Sequence, residues 1–237
     1  MSDLLGAEVL DDRGARLGDV HDARLVQDGP PAGPFGASLR LRALLIGPTA
    51  IGVRLGFERR DVGGPWPLRA AFAALHGRIR VATWQEIGAI TQGRILLRVP
   101  ENSVRSGVRA GREAGRVIDA GLELLDRQMV DRDGRMAGNV DDLELTFPPE
   151  SGPPVVTAVL AGPGALARRI GGTIGTAIAS IHERLQEEGV EGPARISFGA
   201  VRSIGSDVRL AVSRRDLEIY RFERWARDAI VARIPGS

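Results

Sequence analysis

The chain contains one sequence pattern twice, and this repeat constrains the fold more than any other feature. Residues 4–25 are LLGAEVLDDRGARLGDVHDARL, and residues 124–145 are LLDRQMVDRDGRMAGNVDDLEL. The two segments align without a gap at an offset of 120 (125 minus 5). The identical positions are Leu4/Leu124, Leu5/Leu125, Asp11/Asp131, Gly14/Gly134, Gly18/Gly138, Val20/Val140, Asp22/Asp142 and Leu25/Leu145. A repeat of this kind predicts two copies of one small structural unit.

The length and composition agree with two small globular domains. A chain of 237 residues divides into two domains of about 100 residues each. The hydrophobic fraction of 43% and the charged fraction of 26% are typical of folded proteins. We therefore predict a first domain over residues 1–100, a linker over 101–123, a second domain over 124–212 and a C-terminal helix over 213–237.

The charge and cysteine content exclude several classes of protein. Lysine is absent and every basic side chain outside the histidines is arginine, which gives a high isoelectric point although the net charge is only +2. A net charge this small does not by itself indicate nucleic-acid binding. With no cysteine, the fold cannot depend on disulfides. The N-terminus lacks a basic segment followed by an apolar one, and no uncharged run has the length of a membrane span, so we expect a cytoplasmic protein.

The first copy predicts a β-hairpin followed by further short strands. The tetrad DDRG at residues 11–14 has the aspartate and glycine that a tight turn favours at its ends. Residues 8–11 and 16–27 flank it as strands, residues 27–36 form a Pro/Gly-rich loop, and residues 38–46 alternate as a third strand. Residues 68–76 predict a short helix, and residues 78–83 and 94–99 predict strands joined by a helical turn at 84–87.

The second copy predicts the same order. A hairpin around residues 131–134 precedes a loop at 148–154, a strand at 155–160, a long helix at 165–188 and strands at 195–198 and 208–212. Residues 101–122 contain many glycines and arginines, and glycine weakens helices, so this segment is interpreted as the linker. Residues 213–234 have the apolar spacing of a C-terminal helix.

Two pairs of segments resemble the PRC-barrel domain family. Residues 7–25, AEVLDDRGARLGDVHDARL, and 127–145, RQMVDRDGRMAGNVDDLEL, are similar to the family's opening hairpin. Residues 81–97, VATWQEIGAITQGRILL, and 196–212, ISFGAVRSIGSDVRLAV, are similar to its closing segment. The resemblance implies a mainly β fold with accessory helices (α+β), built from two small PRC-type β-barrels in tandem plus a C-terminal helix.

The same resemblance implies a function by binding. Members include a domain of the ribosome-maturation factor RimM, the cytoplasmic domain of the photosynthetic reaction-centre H subunit and archaeal cell-division proteins, which contact larger assemblies. The expected function is therefore that of a non-catalytic adaptor or assembly protein, whose partner is a protein or ribonucleoprotein assembly. The alternatives are an RNA- or ribosome-binding maturation factor in the manner of RimM and a membrane-protein-associated regulatory subunit.

Motifs that would indicate chemistry have simpler explanations. Residues 162–167 match G-x-G-x-x-A between a predicted strand and a predicted helix, as in dinucleotide sites. The first copy has only Gly47-Pro48-Thr49 at the equivalent place, which favours a plain turn. An EF-hand loop starting at Asp131 would place Arg135 at a ligand position and Met136 at the required glycine.

The histidines and serines show no spacing typical of a metal site or a nucleophile either. The histidines, His21, His76 and His182, lack metal-ligand spacing, and no serine lies in a nucleophile elbow. We predict no catalytic residue, no cofactor and no metal ligand.

Two groups of residues are candidates for partner binding. The first is a set of linker arginines that could contact phosphate or an acidic partner, although a solvated linker is the simpler interpretation. The second lies on the predicted C-terminal helix, off its main apolar stripe. The candidates are Arg105, Arg109, Arg112, Arg116, Tyr220, Arg224 and Trp225. A structural role in the two turns is predicted for Asp11, Gly14, Gly18 and Asp22 and for Asp131, Gly134, Gly138 and Asp142.

Overall fold

The computed structural model describes residues 1–47, 79–107, 114–149, 152–162 and 194–217, and these residues are mainly β. Their strands in the first part of the chain are β1 (Glu8–Leu10), β2 (Arg16–Pro31), β3 (Ala37–Gly47), β4 (Arg80–Thr83), β5 (Ile87–Thr91), β6 (Arg94–Leu97), β7 (Arg105–Ser106) and β8 (Val117–Asp119). Those in the second part are β9 (Gln128–Val130), β10 (Met136–Asn139), β11 (Asp142–Thr146), β12 (Val155–Ala161), β13 (Ala194–Ser197), β14 (Val201–Ile204) and β15 (Val208–Leu210). The described residues contain one α-helix, α1 (Ala120–Glu123).

The chain divides into two compact units, and each unit includes a loop from the other half of the sequence. The first unit consists of Met1–Gly29, Leu39–Glu123 and Phe147–Val155. The second consists of Pro30–Ser38, Leu124–Thr146 and Val156–Ser237. The loop that follows β2 therefore belongs to the second unit, and the loop that follows β11 belongs to the first.

In the first unit, six strands follow the order β4-β3-β2-β1-β6-β5. Strands β1 and β2 are antiparallel, whereas β6 pairs with β1 in parallel. Among the described strands, β5 pairs only with β6, so the sheet is not closed into the barrel that the sequence predicts. The 3-10 helix Trp84–Glu86 lies between β4 and β5 in the chain.

The second unit has the corresponding strands in the corresponding order. One sheet follows β10-β9-β15-β14, with β15 parallel to β9, and β12 pairs with both β11 and β13. Strand β2 of the first unit is continuous, whereas its counterpart is divided into β10 and β11. Neither sheet of this unit is closed among the described strands.

The repeat in the sequence is also a repeat of hydrogen bonds. The N–H of Gly14 donates to the carbonyl of Asp11, and the N–H of Gly134 donates to that of Asp131, both at 3.1 Å. Leu10 pairs with Arg16 in the first hairpin, as Val130 pairs with Met136 in the second. The same offset of 120 residues therefore describes both the sequence and the backbone pairing.

Several elements differ from the sequence-based expectation. Residues 87–91 and 201–204 are strands, although the sequence analysis predicts no strand over these segments, because they are too short to show a clean alternation. Strand β2 extends through Pro31 into the predicted loop. The predicted helices at 68–76 and 165–188 lie outside the described residues. So do residues 218–234 of the predicted C-terminal helix, whose first residues include the 3-10 helix Arg214–Asp216.

The segment predicted as a linker contributes strands and a helix to the first unit. Strand β7 pairs with β4, and β8 pairs with β2. Arg24 of β2 and Asp119 of β8 form a buried bidentate ion pair with N–O distances of 2.7 and 3.0 Å. The carboxylate of Asp22 accepts hydrogen bonds from Gly121 and Leu122 at the start of α1.

Each unit has its own apolar core. Fully buried side chains of the first unit include Leu25, Leu39, Leu41, Leu44, Ile46, Ile95, Leu97 and Ile118. Those of the second include Leu124, Met129, Leu143 and Phe198. Burial of each such side chain contributes about 1.5–3 kcal/mol. Within the described residues, no helix has the length and apolar character that crossing a membrane requires.

Candidate functional site

One surface feature of the first unit is built around Trp84. This residue begins the 3-10 helix that follows β4, and Glu86 ends it. The Glu86 carboxylate accepts hydrogen bonds from the backbone N–H of Thr83 (2.6 Å) and from its hydroxyl (2.9 Å). The carbonyl of Glu86 accepts from the N–H of Arg98 at 2.7 Å. These bonds fix the turn, and with it the position of the indole.

An open groove of about 480 Å³ lies beside this indole. Its walls include Trp84, the residues Ile87 to Ile90 of β5, Phe147 and Pro148. The ring of Phe147 meets that of Trp84 with centroids 6.0 Å apart and a tilt of 47°. Phe147 is nevertheless 58% exposed. The groove therefore offers an aromatic surface to solvent.

The loop that carries Phe147 is anchored in the same unit. The N–H of Leu41 donates to the carbonyl of Pro154 at 2.8 Å, and Val155 pairs with Arg40. Pro148 is partly buried against the groove wall. Phe147 and Pro148 therefore belong to a loop whose C-terminal end is held by backbone hydrogen bonds.

Strand β5 supplies backbone groups to the groove. It pairs with β6 along one edge, and among the described strands nothing pairs with its other edge. Gly88 and Ala89 of β5 are exposed. An unpaired edge beside an apolar groove can accept an extended peptide, which gains main-chain hydrogen bonds from the edge and side-chain contacts from the groove.

The groove has little charge of its own. Among its described lining residues, Arg98 provides a guanidinium group and no residue provides a carboxylate. A Cβ built on Gly88 would lie 3.0 Å from Cγ of Arg98, so the arginine stem runs alongside β5. Such a surface favours an apolar ligand that is neutral or acidic.

The predicted turn residues hold the two hairpins. The Asp11 carboxylate accepts from the N–H groups of Arg13 (2.9 Å) and Ala15 (2.8 Å), and Glu101 donates to its second oxygen at 3.4 Å. Burial raises the pKa of Asp11, but these hydrogen bonds outweigh it and leave the pKa below its ordinary value. Gly14 closes the turn with φ +81°.

The second hairpin has the same arrangement. The Asp131 carboxylate accepts hydrogen bonds from the backbone N–H groups of Asp133 (2.9 Å) and Arg135 (2.8 Å), and the backbone N–H of Arg214 donates to its second oxygen at 2.9 Å. The bond from Arg214 contributes most to lowering the pKa of Asp131, against the opposing effect of burial. Gly134 has φ +78°. Both aspartate carboxylates therefore accept hydrogen bonds from the protein's own backbone.

The other predicted turn residues have structural contacts as well. Asp22 and Asp142 are buried, and each accepts a hydrogen bond from the N–H of the following residue, at 2.6 and 2.8 Å. Gly18 and Gly138 have φ +140° and +89° and lie where the paired strands change register. None of these residues lines the groove.

The predicted partner-binding residues are not brought together by the described part of the chain. Arg105 is exposed on β7, at the edge beside β4. The carbonyl of Arg116 accepts a hydrogen bond from the N–H of Gln27 at 2.9 Å. The other five, Arg109, Arg112, Tyr220, Arg224 and Trp225, lie outside the described residues.

Comparison with models of known protein families gives no match for this chain, and comparison with curated proteins gives none either.

The sequence also raises a metal site and a nucleotide site as alternatives. No group of three or more His, Asp or Glu side chains there is close enough to hold a metal ion. The Asp141 carboxylate accepts a hydrogen bond from the N–H of Gly162 at 2.6 Å. The rest of the glycine-rich segment at 163–167 lies outside the described residues.

Sequence reasoning missed the groove, although a signal for it exists. Trp84 and Phe198 each begin the 3-10 helix that follows a strand in their closing segment. Each long loop carries a phenylalanine beside a proline, at Pro34-Phe35 and at Phe147-Pro148. In a chain with only 4% aromatic residues, a phenylalanine in each loop and an aromatic residue in each closing segment could have indicated the two ring contacts Phe35–Phe198 and Phe147–Trp84.

Proposed function

We propose that this protein is a non-catalytic adaptor or assembly factor, built from two tandem PRC-type β domains, that docks onto a larger protein or ribonucleoprotein assembly. The observation that carries the proposal is the groove of the first unit, where the 58% exposed Phe147 lies beside the edge strand β5. An unpaired strand edge can pair with another chain, and an apolar surface beside that edge adds side-chain contacts for a partner.

The chemistry of the groove also favours binding over catalysis. Its lining combines aromatic and aliphatic side chains with backbone groups, and Arg98 is the ionisable side chain among them. General acid–base or nucleophilic catalysis needs titratable groups within hydrogen-bond reach of each other. A surface of this composition is suited to recognising the shape and main chain of a partner.

Site-specific photocrosslinking tests the proposal. A photoreactive phenylalanine analogue is placed at Phe147, and the matched control carries it at Met136, which is 54% exposed in the second unit. In lysate of the source organism, we expect a discrete protein or ribonucleoprotein crosslinked from position 147 and not from position 136. The exposed substitution Ala89→Arg on β5 should reduce that product.

Two results would contradict an adaptor role. One is the absence of a crosslink from position 147 that differs from the control. The other is turnover of a small substrate by the purified protein that a single side-chain substitution abolishes.

A second candidate function is RNA binding in the manner of a ribosome-maturation factor. Arg105 is exposed on β7 and is the first arginine of an arginine-rich segment, and this favours RNA binding. This function predicts RNA affinity that decreases steeply as salt is added, because released counterions drive such binding. Salt-independent retention of RNA, or no retention, would argue against it.

A further inference from the structure

Strand β5 of the first unit and strand β14 of the second differ in charge. Among the described strands, each is the end strand of its sheet, and each pairs with the strand that lies parallel to the first hairpin strand of its unit. Their sequences are IGAIT and VRSI, and both have an irregular register against their neighbour. Arg202 of β14 is exposed, whereas β5 has no charged residue. Because a charge on an end strand opposes pairing with another chain, β5 lacks a protection that β14 has.

The neighbour of β5 carries a leucine on its outer face where the second unit has an arginine. Leu96 of β6 lies opposite Leu10 of β1, and Arg209 of β15 lies opposite Val130, which is the repeat of Leu10. Leu96 is 42% exposed, and on its other side it lies opposite Ala89 of β5. Residues opposite each other in a sheet share a face. An apolar row therefore runs from Leu10 through Leu96 to Ala89, at the edge of the described sheet.

Arg98 adds a positive charge beside this row. Gly88 of β5 is exposed, and a Cβ built on it would lie 3.0 Å from Cγ of Arg98. The arginine stem therefore lies over the bare backbone of β5, and Arg98 lines the groove beside that strand. Arg94, two residues earlier, is instead directed to Glu8 of β1, with an N–O distance of 3.2 Å. No ion pair among the described residues involves Arg98, so its charge is available to a ligand at this edge.

We infer that β5 pairs with an extended segment of a partner protein in which an apolar residue and an acidic residue lie two positions apart. This inference rests on the proposed adaptor function and names the chemistry of the partner's segment. Side chains two positions apart share one face of a strand, so the apolar one contacts Ala89 and Leu96 while the carboxylate faces Arg98. The backbone of the segment forms hydrogen bonds with β5.

Charge complementarity favours this occupant over a second copy of the chain. Strand β5 contains no acidic residue, so two copies paired through β5 would offer Arg98 no carboxylate from the added strand. A basic segment would place like charges together, which is unfavourable at an interface. An acidic segment of another protein is therefore the ligand that matches this edge.

The probe is the capped peptide TETLTET, which is added to the full chain and followed by NMR. Its glutamates and leucine alternate with threonine, so all three lie on one face of an extended strand. We expect the amide resonances of Gly88, Ala89 and Ile90 to shift, with a dissociation constant of about 1 mM or below. Replacing the leucine by serine should weaken binding at least about fivefold, because less apolar area is buried. Replacing both glutamates by glutamine should weaken it about two- to fivefold, the range of exposed ion pairs.

Two methylated probes test the backbone hydrogen bonds. N-methylation of alternate residues removes the N–H donors from one edge of an extended peptide and leaves the other edge intact. One of the two complementary probes should therefore keep binding while the other loses it. Equal binding of the two would contradict strand pairing.

Protein variants with matched controls locate the binding. Ala89→Glu places a carboxylate where the leucine of the probe should lie and should abolish the shifts, whereas Gln92→Glu adds the same charge in the β5–β6 turn and should change binding less than about twofold. Arg98→Glu should make the probe TRTLTRT bind more tightly than TETLTET. Arg105→Glu makes the same charge change on β7 and should leave TETLTET preferred. All four positions are exposed, so folding is preserved, and far-UV circular dichroism verifies it.

Three further outcomes would overturn the inference. They are the absence of shifts in β5 at about 1 mM TETLTET, a preference for TETLTET that Arg98→Glu leaves intact, and self-association of the full chain that Ala89→Glu abolishes, which would make a second copy the occupant. If the probe fails to bind while the lysate crosslink from position 147 persists, the chemistry of the segment is wrong and the adaptor function stands. If the probe binds but no lysate crosslink forms, the adaptor function fails instead.

Discussion

The buried ion pair between Arg24 and Asp119 gives the sharpest test of how the first unit is held together. Its side chains are only 3% and 8% exposed, and the two N–O distances are 2.7 and 3.0 Å. The pair joins β2 to β8, which lies in the segment that the sequence suggests as a linker. We therefore expect Asp119→Ala to destabilise the unit and release that segment.

The magnitude follows from the burial. Removing one partner leaves the guanidinium buried without this carboxylate, and such a change costs about 3–5 kcal/mol. The double variant Arg24→Met, Asp119→Leu removes both charges and should recover most of the loss. Asp19→Ala removes the exposed pair with Arg16, whose side chain is 53% exposed, and should cost less than about 1 kcal/mol.

The measurement is urea unfolding followed by circular dichroism, together with hydrogen exchange of the amides of β8. Faster exchange in β8 should accompany the lower stability of Asp119→Ala. If Asp119→Ala is no more costly than Asp19→Ala, or if β8 exchange is unchanged, the pair does not anchor this segment.

Three further predictions concern the turns and the acid response. Gly14→Ala should cost about 1–2 kcal/mol for the positive φ alone, because an added Cβ meets nothing within 4 Å. Gly18→Ala should cost clearly more, because its Cβ overlaps the carbonyl of Gly47. Equal urea midpoints of the two variants would show that the overlap is relieved. The hydrogen bond from Arg195, together with that from Thr157, lowers the pKa of Glu144 below its ordinary value, although burial opposes this shift. The stability that ionised Glu144 contributes is therefore complete above about pH 4.5 and is lost as the pH falls through the pKa of the folded state. Glu144→Gln should flatten the decrease in urea midpoint between about pH 5 and pH 3, and an unchanged slope would refute this. Glu86→Ala should cost about 1 kcal/mol by releasing Thr83 and should alter fluorescence from Trp84, while Glu86→Gln, which keeps an acceptor, should resemble the wild type; similar losses in both variants would mean that the charge matters rather than the hydrogen bond.

Much of the backbone plan was accessible from the sequence. The tetrads at residues 11–14 and 131–134 predict two hairpins, and both are present with the same hydrogen bonds. The alternation at residues 38–46 predicts β3, and that at 155–160 predicts β12. These elements depend on local turn chemistry and on side-chain period, which neighbouring residues determine.

Strands β5 and β14 were not accessible in this way. Their segments, IGAIT and VRSI, are short and lack a clean apolar–polar alternation, and they pair with β6 and β15 in the structure. The loops at residues 27–36 and 148–154 were predicted as loops, but their sequences do not indicate which unit each one joins. That assignment depends on contacts between residues far apart in the chain.

The sequence by itself determined that one structural unit occurs twice, because turn residues and alternating side chains act over a few neighbouring positions. Only the tertiary structure decided that the Phe35 ring contacts Phe198 in the second unit and that the Phe147 ring contacts Trp84 in the first. The physical reason is that packing of an aromatic ring depends on side chains from distant parts of the chain, which no local pattern specifies.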